Sequence, residues 1–358
     1  MNHHSSVKRI CIIKTSSMGD VVHTLPAITD ACDRNPGYIF DWVVEENFRD
    51  IPALHPGVAN VIPIALRRWR KAPLRSLFGR EFRSFRQQLG TNKYDLVIDA
   101  QGLLKSAMIC SLIPAHVVGL DSASIREPLA SWLYSERIPV PRQQHAVERV
   151  RQLFALALGY PKPESEIHYG INLQHLQTER SRQGPKPGKQ IIFLHGTTWM
   201  SKHWPEQYWR DLAALIDATE YNVIIPWGSE VERLRAERIA YQLDSVAVLP
   251  ELDLTSLMKV MSATSGALSV DTGLSHLSAA LRIPTLGFYG PTDPRLTGNY
   301  GPNQIQFVNE ELPCVPCLKR ECRLLPQGGE FPPCFSVESV EGVWQRLKIL
   351  MQQSNKGE

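Results

Sequence analysis

Short apolar runs alternate with amphipathic stretches along almost the whole chain. RICIIK, FDWVVEE, VIPIAL, YDLVIDAQ and HVVGL are continuous apolar runs, the texture of strands buried on both faces, and helical periodicity fills the stretches between them. The spacing predicts a helix near residues 21–33 and a basic helical stretch after VIPIAL. It also predicts a helix over 145–158 with Val147, Val150, Phe154 and Leu158 on one face. Such alternation builds a parallel sheet with helices as crossovers. Between Gly159 and Gln190 prolines, glycines and charges replace the apolar periodicity, as in a linker. The alternation then restarts with IIFLHGTT, NVIIPWG, VAVLP, GALSVDTG and PTLGFYG, and a helix, VESVEGVWQRLKILMQQ, ends the pattern. The expected fold class is α/β, two doubly wound parallel-sheet domains with a cleft between the carboxyl ends of their strands.

Composition sharpens this only a little. At 358 residues, with 43% hydrophobic and 21% charged residues, the chain suits two soluble globular domains. A net charge of +3 does not by itself imply a nucleic-acid partner. The first residues carry no signal-peptide h-region and no apolar run is long enough to span a bilayer, so a cytosolic protein is expected. Of seven cysteines, Cys11, Cys32 and Cys110 lie in apolar segments and read as buried thiols. Cys314, Cys317, Cys322 and Cys334 follow Cys-x2-Cys-x4-Cys-x11-Cys, compatible with a tetrahedral metal, a disulfide-prone loop or unpaired thiols.

The candidate chemistry sits in strand-to-helix turns. In SVDTGLSHLSAAL, Asp271, Thr272 and Gly273 lead into a helix start whose unpaired amides and dipole attract phosphate, with Ser275 and His276 adding donors. The competing reading is an ordinary N-cap. LHGTTWMSKHWP offers Thr197, Thr198 and Lys202, hydroxyls and an ammonium suited to a diphosphate leaving group; the alternative makes Lys202 a solvated surface charge. In PWGSEVERLRAER, Glu232 either accepts hydrogen bonds from a sugar hydroxyl or merely occupies a helical first turn. KTSSMGD brings Ser16, Ser17, Gly19 and Asp20 together, and Asp20 is either a general base or a helix cap.

LRRWRKAPLR sets Arg67, Arg68, Arg70, Lys71 and Arg75 around Trp69, a local field suited to phosphate or carboxylate with a ring for lipid or sugar; a solvated basic face is the bland reading. Arg126 in SIREPLAS can add a further cation. No Gly-x-Gly, P-loop spacing or Gly-x-Ser-x-Gly occurs, which removes the main support for dehydrogenase, P-loop kinase and esterase readings.

Taken together, KTSSMGDVVHTLPAITDA, VIPIALRRWRKA, DLVIDAQGLLKSA, REPLAS, QQHAVER, KHWPEQYWR, SVDTGLSHLSAAL and YGPTDP resemble the lipopolysaccharide heptosyltransferases, inverting glycosyltransferases of family 9 with the GT-B fold. The resemblance runs over nearly all of residues 8–308. It implies an acceptor-binding Rossmann-like domain over 1–165, a linker over 166–189 and a donor-binding Rossmann-like domain over 190–335. A final helix within 336–358 would pack back on the first domain.

The implied reaction moves L-glycero-D-manno-heptose from ADP-heptose to the first Kdo of Kdo2-lipid A, with Asp20 as general base and Lys202 stabilising the leaving group. The resemblance assigns donor contacts to Thr197, Thr198, Lys202, Glu232, Asp271, Thr272, Gly273 and His276. Acceptor contacts fall to Ser17, Arg67, Arg68, Arg70, Lys71 and Arg126. It implies no cofactor, no catalytic metal, no nucleic-acid partner, and peripheral contact with the cytoplasmic face of the inner membrane. The cysteine-rich tail with KREC resembles the heptosyltransferase II branch more, so addition of the second heptose is the alternative. A noncatalytic nucleotide-binding protein is another.

Overall fold

Continuous apolar runs become the interior strands of two separate sheets. The computed structural model describes residues 8–72, 79–173, 176, 189–325, 331–336 and 338–354. Contacts divide the chain into units Met1–Asn172 and Leu173–Glu358. The first holds β1 (Lys8–Ile13), β2 (Tyr38–Glu45), β3 (Val58–Ile64), β4 (Leu96–Asp99), β5 (His116–Leu120) and β6 (Glu136–Ile138) in the order β3-β2-β1-β4-β5-β6. The second repeats the plan: β7 (Gln190–Leu194), β8 (Asn222–Ile225), β9 (Val246–Val248), β10 (Gly266–Val270), β11 (Thr285–Tyr289) and β12 (Gln304–Val308) run β12-β11-β10-β7-β8-β9. Every described strand pair is parallel. Two doubly wound parallel sheets in succession are the GT-B architecture that the resemblance implies.

The strand order reverses beside β1 and β4 in one sheet and beside β7 and β10 in the other. Loops leaving the carboxyl ends of such neighbours diverge and leave room for ligands. β7, β10 and β11 are buried at every position, which explains their largely apolar character. Packed on this sheet is a core that includes Trp204, Trp209, Phe193 and Phe288, with Trp204 stacked on Phe288 at 4.2 Å.

Three expectations need correcting. The helix expected over residues 21–33 is two helices, Met18–Val22 and Leu25–Arg34, because Pro26 sits in the first turn of the second. Among the described residues the basic stretch after β3 is two helices, Leu66–Trp69 and Arg80–Thr91, and not one. The final helix, Val340–Ser354, was expected on the first unit. Its buried Val343, Trp344, Leu347, Leu350 and Met351 instead complete the core of the second, because the apolar stripe of that helix finds the open face of the β7–β12 sheet. Helix Ala146–Leu158 follows its predicted span, but it also buries Arg151, whose Nε donates to Asp30 at 2.7 Å.

Candidate active site

β1 and β4 are neighbours with Ile13 opposite Asp99, so the loops that follow them meet. Lys14 Nζ donates to the Ala100 carbonyl at 2.8 Å, and Gln101 Oε1 accepts from the backbone N–H of Thr15 and Ser16, each at 3.0 Å. Beneath them Asp99 is fully buried. Burial pushes its carboxyl up, against hydrogen bonds from Tyr134 OH at 2.7 Å, Ser106 Oγ at 2.8 Å and the Gln101 and Gly102 amides. Gly102 has φ +70, a left-handed conformation that glycine adopts without a Cβ penalty.

On this support Asp20 occupies the first turn of helix Met18–Val22. Its Oδ2 accepts from Ser17 N at 2.7 Å and Ser17 Oγ at 2.8 Å, while Lys14 Nζ lies 3.7 Å from Oδ1. Asp20 therefore caps its helix, and it does so with a side chain 42% exposed. Capping and proton transfer are compatible, because the contacts that hold the carboxylate leave it open to solvent.

The basic run divides in two. Arg68 is held by Glu46 at 3.0 Å and Glu81 at 2.7 Å, and the two carboxylates raise its pKa. Trp69, expected to offer its ring to lipid or sugar, donates to Glu81 at 3.0 Å and packs edge-on against Phe82 and Phe85. Apolar neighbours on helix Arg80–Thr91 have claimed the ring. Arg67, whose guanidinium lies over Phe48, is exposed together with Arg70, Lys71 and Arg126; Arg75 lies outside the described residues.

The sequence reading did not single out Lys105. Its Nζ lies 3.5 Å from Ser16 Oγ, and burial, with Arg70 and Arg67 nearby, lowers its pKa against the pull of Glu45 and Glu127. A cationic group thus flanks the Asp20 turn. Helix Leu104–Cys110 and the following turn also carry exposed Leu104, Met108 and Leu112, spaced four apart, and the adjoining helical turn exposes Leu129, Trp132 and Leu133. Trp132 is 71% exposed.

In the second unit, β10 ends at Val270 and helix Gly273–Ala280 begins with Thr272 as N-cap. Asp271, buried between them, receives Lys202 Nζ at 2.6 Å and Thr292 Oγ1 at 2.5 Å on Oδ2. His276 Nε2 stands 4.0 Å from Oδ1, and Thr197 Oγ1 donates to the Asp271 carbonyl at 3.3 Å. Lys202 also lies over the Trp199 ring at 4.6 Å. Asp271 is therefore the anchor of Lys202, Thr292 and Thr197, a role the sequence reading had not separated from ligand contact.

Glu232 accepts from Gly228 N at 2.8 Å, and a Cβ on Gly196 would stand 2.6 Å from its carboxylate, so the loops after β7 and β8 touch here. Thr198 is exposed beside them. Ser275, expected to face a phosphate, is buried and accepts from Ser269 Oγ at 2.9 Å. A cavity of about 770 Å³ opens beyond Thr292 along the ends of β11 and β12, lined by Asp293, Asn309 and Glu310 among others, none of them in the expected donor set.

Residues 82–327 match the model of glycosyltransferase family 9 (heptosyltransferase). The chain is 52% identical over 354 residues to the lipopolysaccharide heptosyltransferase 1 of Pseudomonas aeruginosa, covering 96% of this chain and 98% of that protein. With the lipopolysaccharide heptosyltransferase 2 of Escherichia coli it shares 24% over 309 residues, 81% of this chain and 84% of that protein. The solved structure of the E. coli heptosyltransferase WaaC with ADP superposes with a TM-score of 0.83 at 43% identity, covering 96% of this chain and 99% of that one.

Proposed function

The chain belongs to glycosyltransferase family 9, the heptosyltransferases, and from that premise we propose that it moves L-glycero-D-manno-heptose from ADP-heptose to the first Kdo of Kdo2-lipid A in lipopolysaccharide core assembly. The observation that carries this is the ion pair of Lys202 with buried Asp271 at the start of helix Gly273–Ala280. An ammonium and unpaired helix amides at one point suit a diphosphate leaving group. The higher identity to a heptosyltransferase 1 than to a heptosyltransferase 2 favours the first-heptose acceptor.

In the proposed reaction Asp20 takes the proton of the acceptor hydroxyl as its oxygen attacks the anomeric carbon on the face opposite ADP. The bond to the diphosphate breaks with inversion, and Lys202 stabilises the charge that collects there. Thr197, Thr198, Glu232, Thr272, Gly273 and His276 complete the donor contacts. Ser17, Arg67, Arg70, Lys71, Arg126 and Lys105 are assigned to the acidic acceptor, with Arg68 supporting them from its carboxylate pair.

The exposed apolar residues of helix Leu104–Cys110 and its neighbouring turn, together with Lys105 and Arg126, support contact with an anionic lipid surface at the cytoplasmic face of the inner membrane. Among the described residues no helix is long and apolar enough to cross a membrane. The deciding experiment is acceptor-dependent ADP release from ADP-heptose, with Kdo2-lipid A compared against the same lipid already bearing one heptose. Release only with the second acceptor assigns the second-heptose reaction, and release with neither removes the proposal.

A further inference from the structure

We propose that Arg235 and His203 are positioning residues that lock three segments together: the loop after β7, the turn that carries Lys202, and the start of helix Glu230–Ala240. The proposal rests on the donor roles given above to Lys202 and Glu232. It adds that these two side chains are set by one shared contact and not separately.

His203 follows Lys202 directly and closes the turn Met200–Lys202, its backbone N–H donating to the Met200 carbonyl at 3.2 Å. Its Nδ1 accepts from one arm of the Arg235 guanidinium, and the other arm donates to the Trp204 carbonyl at 2.8 Å. The fork thus grips two successive residues of the chain that leaves Lys202, and the second of them is fully buried and stacked on Phe288. An arginine has no lone pair to offer, so the contact makes Nδ1 the acceptor and puts the ring proton on Nε2. Burial, then Arg235, lowers the His203 pKa to about 4, which keeps the ring neutral at neutral pH. The carbonyls of His195 and Thr197 pull the other way, as acceptors for the ring N–H. Through that ring the arginine also reaches the loop after β7.

Arg235 belongs to the same helix as Glu232. The two stand three positions apart in Glu230–Ala240, a spacing that makes them neighbours on the helix surface. Ser229 caps that helix by accepting from Glu232 N at 3.3 Å, and the Glu232 carboxylate accepts from Gly228 N while abutting Gly196, which lies between His195 and Thr197. The first turns of one helix therefore meet the loop after β7 at Glu232 and the Lys202 turn at Arg235.

Stability alone gives a poor account of this arginine. Its side chain is 13% exposed, and burial lowers its pKa against the pull of Glu206 and Glu232. Glu206 lies 3.8 Å from Arg235 Nε and is already engaged by Arg238 through two contacts of 2.7 Å. Arg235 Nε itself has no hydrogen-bond partner among the described residues. A buried cation without a tight carboxylate pays a desolvation cost that is poorly offset. The hydrogen bonds it does make, to His203 and Trp204, go to the segment after Lys202, so what the arrangement supplies is geometry.

The test measures ADP binding to the full chain by calorimetry, with steady-state kinetics on ADP-heptose alongside. Arg235→Met and His203→Phe should each raise the Kd for ADP by about tenfold, the size of one charge-assisted hydrogen bond. Both should lower kcat/KM for ADP-heptose and leave the KM for Kdo2-lipid A unchanged. His203→Gln keeps an acceptor for the guanidinium and a donor for the loop carbonyls, so it should restore most of the ADP affinity. In a Lys202→Met background Arg235→Met should cost less than it does in wild type, because a group it positions is already gone. A merely structural role produces neither the glutamine rescue nor this coupling. Because Arg235→Met can fail to fold, thermal melts accompany it, and the two variants of half-buried His203 carry the test by themselves. Unchanged ADP affinity in a folded Arg235→Met or His203→Phe protein overturns the proposal. So do equal losses in His203→Gln and His203→Phe, and so does a loss at Arg235 that adds in full to that of Lys202→Met. Lys202→Met protein that binds ADP like wild type removes the donor reading and this proposal with it, whereas weak binding there with normal binding in Arg235→Met removes the pair alone.

Discussion

Lys202 Nζ stands 2.6 Å from Asp271 Oδ2 with both side chains largely out of water, and Thr292 Oγ1 donates to the same oxygen. The pair fixes the ammonium at the start of helix Gly273–Ala280 before any donor arrives. Preorganised charge of this kind carries much of the catalysis of group transfer, because no reorganisation is needed when the leaving group becomes an anion. Lys202→Met should lower kcat by about 10² to 10³. Asp271→Asn keeps the lysine but loosens it, so donor KM should rise while kcat falls by a smaller factor. Steady-state kinetics with ADP-heptose separate the two, and equal losses in both constants would instead make Asp271 a direct ligand.

Asp20 serves its helix and the proposed chemistry with the same carboxylate, and the two roles can be pulled apart. Asp20→Asn retains an oxygen for the Ser17 amide, so thermal stability should stay near wild type while turnover falls by about 10² to 10⁴. Asp20→Ala loses the cap as well and should cost about 1 kcal/mol of stability in addition. ADP binding by calorimetry should be unchanged in both variants. An alanine variant that turns over normally but melts early would leave Asp20 a cap alone.

Much of this was legible in the chain because it is local. KTSSMGD and SVDTG each follow an apolar strand and open a helix within a few residues, so the turn, its cap and its polar side chains can be read together. Lys105 and Gln101 were not singled out, since their partners Ser16 and Thr15 lie 89 and 86 residues away and meet them only because β1 and β4 are adjacent in the sheet. The DAQGLLKSA run gave a signal, a strand ending in polar residues ahead of a helix. What it could not give was strand order. The partners of Trp69 and Arg68 were missed for a different reason. Their local pattern is that of an exposed basic turn, and the residues that occupy them, Phe82, Phe85 and Glu81, come from the later helix Arg80–Thr91.

The division of the basic run predicts unequal effects on the acceptor. Lys105→Met removes a cation whose Nζ lies 3.5 Å from Ser16 Oγ. It should raise the KM for Kdo2-lipid A by about tenfold, the size of one charge-assisted hydrogen bond. Arg68→Ala breaks ion pairs that solvent screens and should move that KM less. Acceptor titrations at fixed ADP-heptose measure both. A larger effect at Arg68 than at Lys105 would reverse the assignment.

Acid should unfold the protein through buried neutral histidines. His55, in the first unit, accepts from Gly57 N on Nδ1 at 3.0 Å and pairs with Thr29 Oγ1 through Nε2 at 2.9 Å. Burial, then His168, lowers its pKa to about 4, and burial, then Arg235, lowers that of His195 in the second unit to about 3. Both folded values lie below the ordinary value near 6.5. Below that value the unfolded chain binds more protons than the folded one, so stability present above pH 6.5 is lost as pH falls, and the loss levels off only once the folded rings themselves titrate. By pH 5 each histidine should have removed about 2 kcal/mol. Chemical denaturation at pH 7.5, 6 and 5 should follow this slope. His55→Gln should flatten its share, because an amide can still meet the Thr29 hydroxyl and carries no titrating proton. An unchanged slope in that variant would mean that the ring at position 55 titrates in the folded chain as it does in the unfolded one.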